Sequence, residues 1–152
     1  MGTTFETIYN LSLITIRDYK IDKWAKQDYN TFLQYMKGIL IRAIPRFTSC
    51  LQSLEYADAT TNEPYFINDL TYMEQSILAD LMVEVWFFSN INDATQINMQ
   101  LQGRDKKIQS ADANLKQKSE YYDRLKEKIS QSISDYQFSG NNFTKVLGGM
   151  YG

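Results

Sequence analysis

Histidine is absent from the 152 residues. That removes the commonest acid–base catalyst and the commonest metal ligand. Cys50 is the single cysteine, so no disulfide forms within the chain and no Cys–His pair supplies an activated thiolate. Such usage suits a reducing compartment or an assembly indifferent to redox state. There is no CxxC, no HExxH and no Gly-rich phosphate loop, and Gly148-Gly149 neither follows a strand nor opens a helix. The net charge is −2 and no basic block occurs, which argues against a free-standing nucleic-acid binder. No apolar run reaches the ~20 residues of a spanning helix. Met1 to Glu6 lacks the basic and apolar regions of a secretory signal and the Ser/Thr of a myristoylation signal. Neither export nor lipid anchoring is expected.

Proline occurs only at Pro45 and Pro64, and β-branched alternation is scarce. Apolar residues recur at helical spacing through most of the chain, which predicts an all-α fold. The length suggests one domain. The expectation is a small bundle of about four helices over residues 1–139, with a long C-terminal helix, followed by a flexible, extended tail over 140–152. A first helix is expected from Thr4 to about Arg17, then a connection over Asp18–Trp24 with one or two anchoring side chains. A second helix begins near Gln27-Asp28, with Asp28 or Asn30 as its cap, and Pro45 breaks or kinks it. Phe47, Cys50, Leu51 and Leu54 keep helical spacing beyond the proline. Residues 55–68 hold the turn formers and read as a loop able to carry a short extended piece.

The most apolar stretch is "EQSILADLMVEVWFFSNIND", Glu74 to Asp93. Thr71 and Glu74 form a capping box before it. Met73, Ile77, Leu81, Val85 and Phe88 make one stripe, and Leu78, Met82 and Trp86 widen it. It ends near Asn90–Asp93, and a shorter helix follows with Gly103 as a C-cap. The last helix, from about Ile108 to Phe138, has a narrow stripe: Ala111, Leu115, Tyr122, Leu125, Ile129, Ile133 and Tyr136. Asp80 and Glu84 share a face of the apolar helix. They read as its solvent stripe rather than as a metal or acid–base pair, since the ExxH of di-iron bundles is missing. No catalytic, metal or cofactor residues are assigned, and an enzyme is not expected.

Two features point toward partners. Aromatics make up 14% of the chain, with 11 Tyr, 8 Phe and 2 Trp. They suit surfaces buried on assembly, or simply a Tyr-rich core. The terminus "SGNNFTKVLGGMYG" mixes Gly140, Gly148, Gly149 and Gly152 with Phe143, Val146, Leu147, Met150 and Tyr151. The glycines argue against a helix. The apolar residues suit a segment ordered by a partner, and a frayed terminus is the plainer alternative.

Two segments carry a family resemblance. One is Leu70-Thr71, Glu74, Ile77-Leu78-Ala79, Leu81-Met82-Val83 and Trp86. The other is Ser110 with Ala113-Asn114-Leu115-Lys116 and the helix after it. Together they resemble small head–tail connector (adaptor) proteins of tailed bacteriophages, the type that infects Gram-positive bacteria. The resemblance implies a helical bundle that forms a homo-oligomeric ring, dodecameric in related adaptors, in the virion neck. It implies docking to the portal protein and to the next neck or tail protein, with double-stranded DNA passing through the channel without sequence-specific binding. On that reading Phe143, Leu147, Met150 and Tyr151 anchor the partner, and Tyr121, Tyr122 and Lys126 make lateral subunit contacts. No cofactor and no membrane are implied. A tail-completion or baseplate protein, or a small regulatory helical protein that binds a partner helix in an apolar groove, fits the composition too.

Overall fold

The computed structural model describes residues 2–58, 63–101 and 107–151, with side chains described for 2–58, 63–93 and 115–140. Among the described residues five α-helices run in the order α1 (Phe5–Leu13), α2 (Tyr19–Gln27), α3 (Tyr29–Ala43), α4 (Tyr72–Leu101) and α5 (Lys107–Tyr151). A 3₁₀ turn spans Ile44–Arg46, and a minimal hairpin pairs β1 (Tyr56–Ala57) with β2 (Tyr65–Phe66). The fold is all-α, with a long C-terminal helix. Helix α4 is central: α1, α3 and α5 all pack on it.

The N-terminal helices are capped as their residue types require. Thr4 accepts from the Thr7 amide at 3.4 Å and opens α1. Asp18 accepts from the Lys20 amide at 2.8 Å and opens α2, where a connection is expected from sequence. This helix has nine residues and is anchored by buried Ile21 and half-buried Trp24, which lies 5.3 Å from the Tyr35 ring. Two anchors were legible; a helix that short gives too little periodicity to recognise. Asp28 caps α3 through the Thr31 amide. Hydrogen bonds from Thr31 hold the Asp28 carboxyl below its ordinary range.

Pro45 sits in the 3₁₀ turn, and the chain does not return to helix over residues 47–54. The helical spacing of Phe47, Cys50, Leu51 and Leu54 therefore has no helix behind it. Phe47 is buried, Cys50 and Leu54 half-buried and Leu51 exposed. The proline cannot donate the amide a continued helix needs. Residues 55–68 do carry the short extended piece. The N-terminal segment joins it, with the Phe66 amide donating to the Thr3 carbonyl at 2.7 Å and the Phe5 amide to the Pro64 carbonyl at 2.9 Å. Gly2 lies so close to this strand that a Cβ there would sit 1.5 Å from the Phe66 carbonyl oxygen.

Helix α4 differs from expectation in where it ends. It continues through Asn90–Asp93 to Leu101. The span holds neither proline nor glycine, and the Asn and Asp residues lower helix propensity only slightly. The expected stripe is buried at Ile77, Leu81 and Val85, with Glu74, Leu78 and Met82 buried beside it, while Met73 and Phe88 at its ends are 40% and 44% exposed. Buried Ile77, Ala79, Leu81 and Val83 make the covered face wide. The burial of Glu74 has a physical cause: that side chain receives partners from two other parts of the chain, described below.

On α5 the narrow stripe holds. Leu125, Ile129 and Tyr136 are buried, and Leu115, Tyr122 and Ile133 half-buried. The Ala111 side chain lies outside the described residues. The helix bounds run to Tyr151, past the end expected near Phe138. Gly140 is accommodated because a Cβ there would meet the Leu51 side chain at 2.5 Å. No described helix is long and apolar enough to cross a membrane.

Candidate interaction surface

The Trp86-Phe87-Phe88 run leaves the core at the far end of α4's buried stretch and meets α5 side-on. Phe87 stacks on Tyr122 with ring planes 7° apart and lies 5.1 Å from the Tyr121 ring. Phe88 lies 5.9 Å from Tyr122. The Lys126 ammonium stands 4.7 Å over the Tyr122 ring, one turn along α5, a placement that favours the cation over the electron-rich face. Lys126 is also 3.6 Å from Asp123, an exposed pair that adds little. The three α5 residues expected to face a neighbour are thus brought together. Tyr122 is half-buried between two phenylalanines, and Tyr121 is exposed on the outer side.

Behind this group Trp86 is oriented by a specific bond: its indole Nε1 donates to Asp18 Oδ2 at 3.0 Å. The cap of α2 therefore also ties α2 to α4. A cleft of ≈ 470 Å³ opens there, lined by Arg17, Tyr19, Lys20, Trp86, Phe87 and Lys118 among others. A second cleft, of ≈ 390 Å³, lies between the end of α1, α4 and α5 and holds Asp80 with Tyr121, Arg124 and Lys128. Burial pushes the Asp80 carboxyl up, against the opposing pull of Lys128. Asp80 is therefore covered by α5 rather than lying on an open solvent stripe. Glu84, one turn on, is bound by Arg46 at 2.9 Å.

A buried polar junction fixes how α5 lies on α4. Glu74 is 2% exposed. Its Oε2 accepts from the Thr71 amide at 2.9 Å, completing the capping box with Thr71 Oγ1, which accepts from the Glu74 amide at 3.2 Å. The same oxygen accepts from Gln52 Nε2 at 2.7 Å, and Oε1 accepts from the Tyr136 hydroxyl at 2.8 Å. The Leu51 amide donates to that hydroxyl at 2.9 Å. Burial, with help from Glu74 and Cys50, raises the Tyr136 phenol far above its usual range, and burial pushes the Cys50 thiol up as well. Such a thiol is a poor nucleophile. The box was visible in the sequence. Gln52 and Tyr136, 22 and 62 residues away from Glu74, carried no local signal of their role.

Among the described residues no group of three or more His, Cys, Asp or Glu side chains is placed to hold a metal ion. The side chains of Phe143, Leu147, Met150 and Tyr151, expected to anchor a partner, lie outside the described residues. Comparison with protein-family models, curated proteins and solved structures finds no match to this chain.

Proposed function

We propose that this chain is a structural subunit of a bacteriophage head–tail connector, forming a ring in the virion neck that docks to the portal and extends the DNA channel. The observation that carries the reading is the aromatic and cationic group on α4 and α5. Phe87, Phe88, Tyr121 and Tyr122 with Lys126 form a half-covered patch on a helix whose core-facing stripe is otherwise narrow. Aromatic rings that are already ordered and partly desolvated lose little entropy on docking, and such residues dominate interface energies. The resemblance of the Leu70–Trp86 and 110–116 segments supplies the kind of assembly.

In this role Tyr121, Tyr122 and Lys126 meet the neighbouring subunit, and Phe143, Leu147, Met150 and Tyr151 grip the portal. No cofactor takes part, and DNA passes without sequence-specific contact. The test is co-assembly with the portal from the same phage, read by electron microscopy and co-sedimentation. Rings on the portal are expected for the full chain. Ending the chain after Gly140 should leave the circular dichroism and melting temperature nearly unchanged while co-sedimentation falls. Full-strength docking by the shortened chain would refute the tail assignment, and absence of any portal complex would refute the connector reading.

A further inference from the structure

We infer that copies of this chain join head to tail, the acidic hairpin end of one copy against the α2 end of the next. The inference rests on the ring reading and specifies its subunit contact. Helix α1 separates the two ends. Its first turn is held at the hairpin, where the Glu6 amide donates to Glu63 Oε1 at 3.1 Å and the Phe5 amide to the Pro64 carbonyl at 2.9 Å. Its last turn leads directly into α2. Nine helical residues set these ends about 14 Å apart.

The two ends carry opposite charge. At the hairpin, Glu6, Glu55, Asp58, Glu63 and Asp69 are all exposed. Lys37 is the cation that reaches them, and it is taken by Asp58. The like charge of Glu6 adds to burial in raising the Glu63 carboxyl, as expected of crowded acids. At the other end Arg17, Lys20, Lys23 and Lys26 are exposed, and among the described residues none is in an ion pair. Four acids, Asp18, Asp22, Asp28 and Asp93, share that end, but two are turned to internal work. Asp18 accepts from the Trp86 indole and the Lys20 amide, and Asp28 binds Thr31. Asp22 and Asp93 are the acids left facing outward beside the four cations among the described residues.

Both ends also expose large apolar groups. Tyr19 and Ile14 are 81% and 71% exposed beside α2, and Tyr72 and Ile67 are 77% and 56% exposed beside the hairpin. The cleft bounded by Arg17, Tyr19, Lys20, Phe87 and Lys118, with Asp18 and Asp93 also in its lining, offers an aromatic wall whose rim holds more cations than acids. That lining suits an acidic segment bearing an apolar side chain, such as Glu55-Tyr56 of a second copy. Two different surfaces that fit each other make a heterologous contact, which generates a ring when the rotation closes. The cleft shares Phe87 with the Tyr121–Tyr122 group, so one continuous face serves the neighbour.

The test uses two charge-reversed full-length chains. One carries Lys20→Glu and Lys23→Glu; the other carries Glu55→Lys and Asp69→Lys. Circular dichroism first establishes that both are folded. Sedimentation velocity at low salt should show the wild type associating, each variant alone monomeric, and their equimolar mixture associating again, since only unlike ends then meet. Raising the salt should weaken every association. Carbodiimide coupling of an isotopically mixed wild-type sample should link α2 lysines to hairpin acids between copies. Three results would overturn the inference. The variants could associate singly, the mixture could stay monomeric, or the α2 end could bind a DNA duplex while the wild type remains monomeric. Rings on the portal together with failed complementation would defeat this contact while leaving the connector reading intact.

Discussion

Replacing Tyr136 by phenylalanine tests whether the buried junction sets how α5 lies on the bundle. The ring stays, with its tilted contact to Phe47 at a centroid distance of 5.4 Å. The hydroxyl goes. Glu74 Oε1 then loses its 2.8 Å donor and the Leu51 amide its 2.9 Å acceptor. A hydrogen bond to an ionisable acceptor contributes about 1.5–3 kcal/mol, and an orphaned, partly buried amide adds about 1 kcal/mol. The expected loss is about 2.5–4 kcal/mol, or a fall in melting temperature of roughly 5–16 °C for a chain of this size. Urea unfolding followed by circular dichroism should show a lower midpoint at unchanged slope. Tyr121→Phe, on the exposed side of the same helix, should change stability by under about 0.5 kcal/mol. In a cycle with Glu74→Gln the two losses should couple by roughly 1–3 kcal/mol. A loss under about 1 kcal/mol for Tyr136→Phe, or strictly additive losses in the cycle, would show that packing alone orients α5.

Gly2→Ala should destabilise the chain by roughly 1–3 kcal/mol, because the new methyl would overlap the Phe66 carbonyl, which is backbone and cannot step aside. Amide exchange at Phe66, whose N–H donates to Thr3, should quicken; unchanged protection there would refute the close approach. Asp80→Asn should stabilise the fold at neutral pH. Burial raises the folded-state carboxyl above the ordinary aspartate range, so the native state holds this proton more tightly than the unfolded chain. Stability is then greatest below the unfolded value and falls as pH rises through the folded one. Urea midpoints of both proteins at acidic and neutral pH check this, and a wild type at least as stable as the variant at neutral pH would contradict it.

Several elements were readable from short-range chemistry. The box at Thr71 and Glu74, the cap at Asp28, the stop at Pro45 and the narrow stripe of α5 each depend on residues within a turn or two of one another. Their residue types allow few other conformations. The all-α class followed from the same spacing. The extra helix α2 escaped because nine residues hold only two apolar anchors. The continuation of α4 past Asn90 escaped because turn-forming side chains lower helix propensity without forbidding helix.

The burial of Glu74 was decided by tertiary structure. Spacing alone placed the Ile77–Leu81–Val85 stripe and the Leu78–Met82 flank on the covered face. Only Tyr136 and Gln52, which reach Glu74 from distant parts of the chain, draw an acidic side chain inward. The pairing of Phe87 with Tyr121 and Tyr122, and the separation of acidic hairpin from cationic α2, likewise exist only once α1 and α5 are laid against α4. Capping and periodicity are local and survive in the sequence. Which face of a helix is covered depends on partners that only the folded chain brings together.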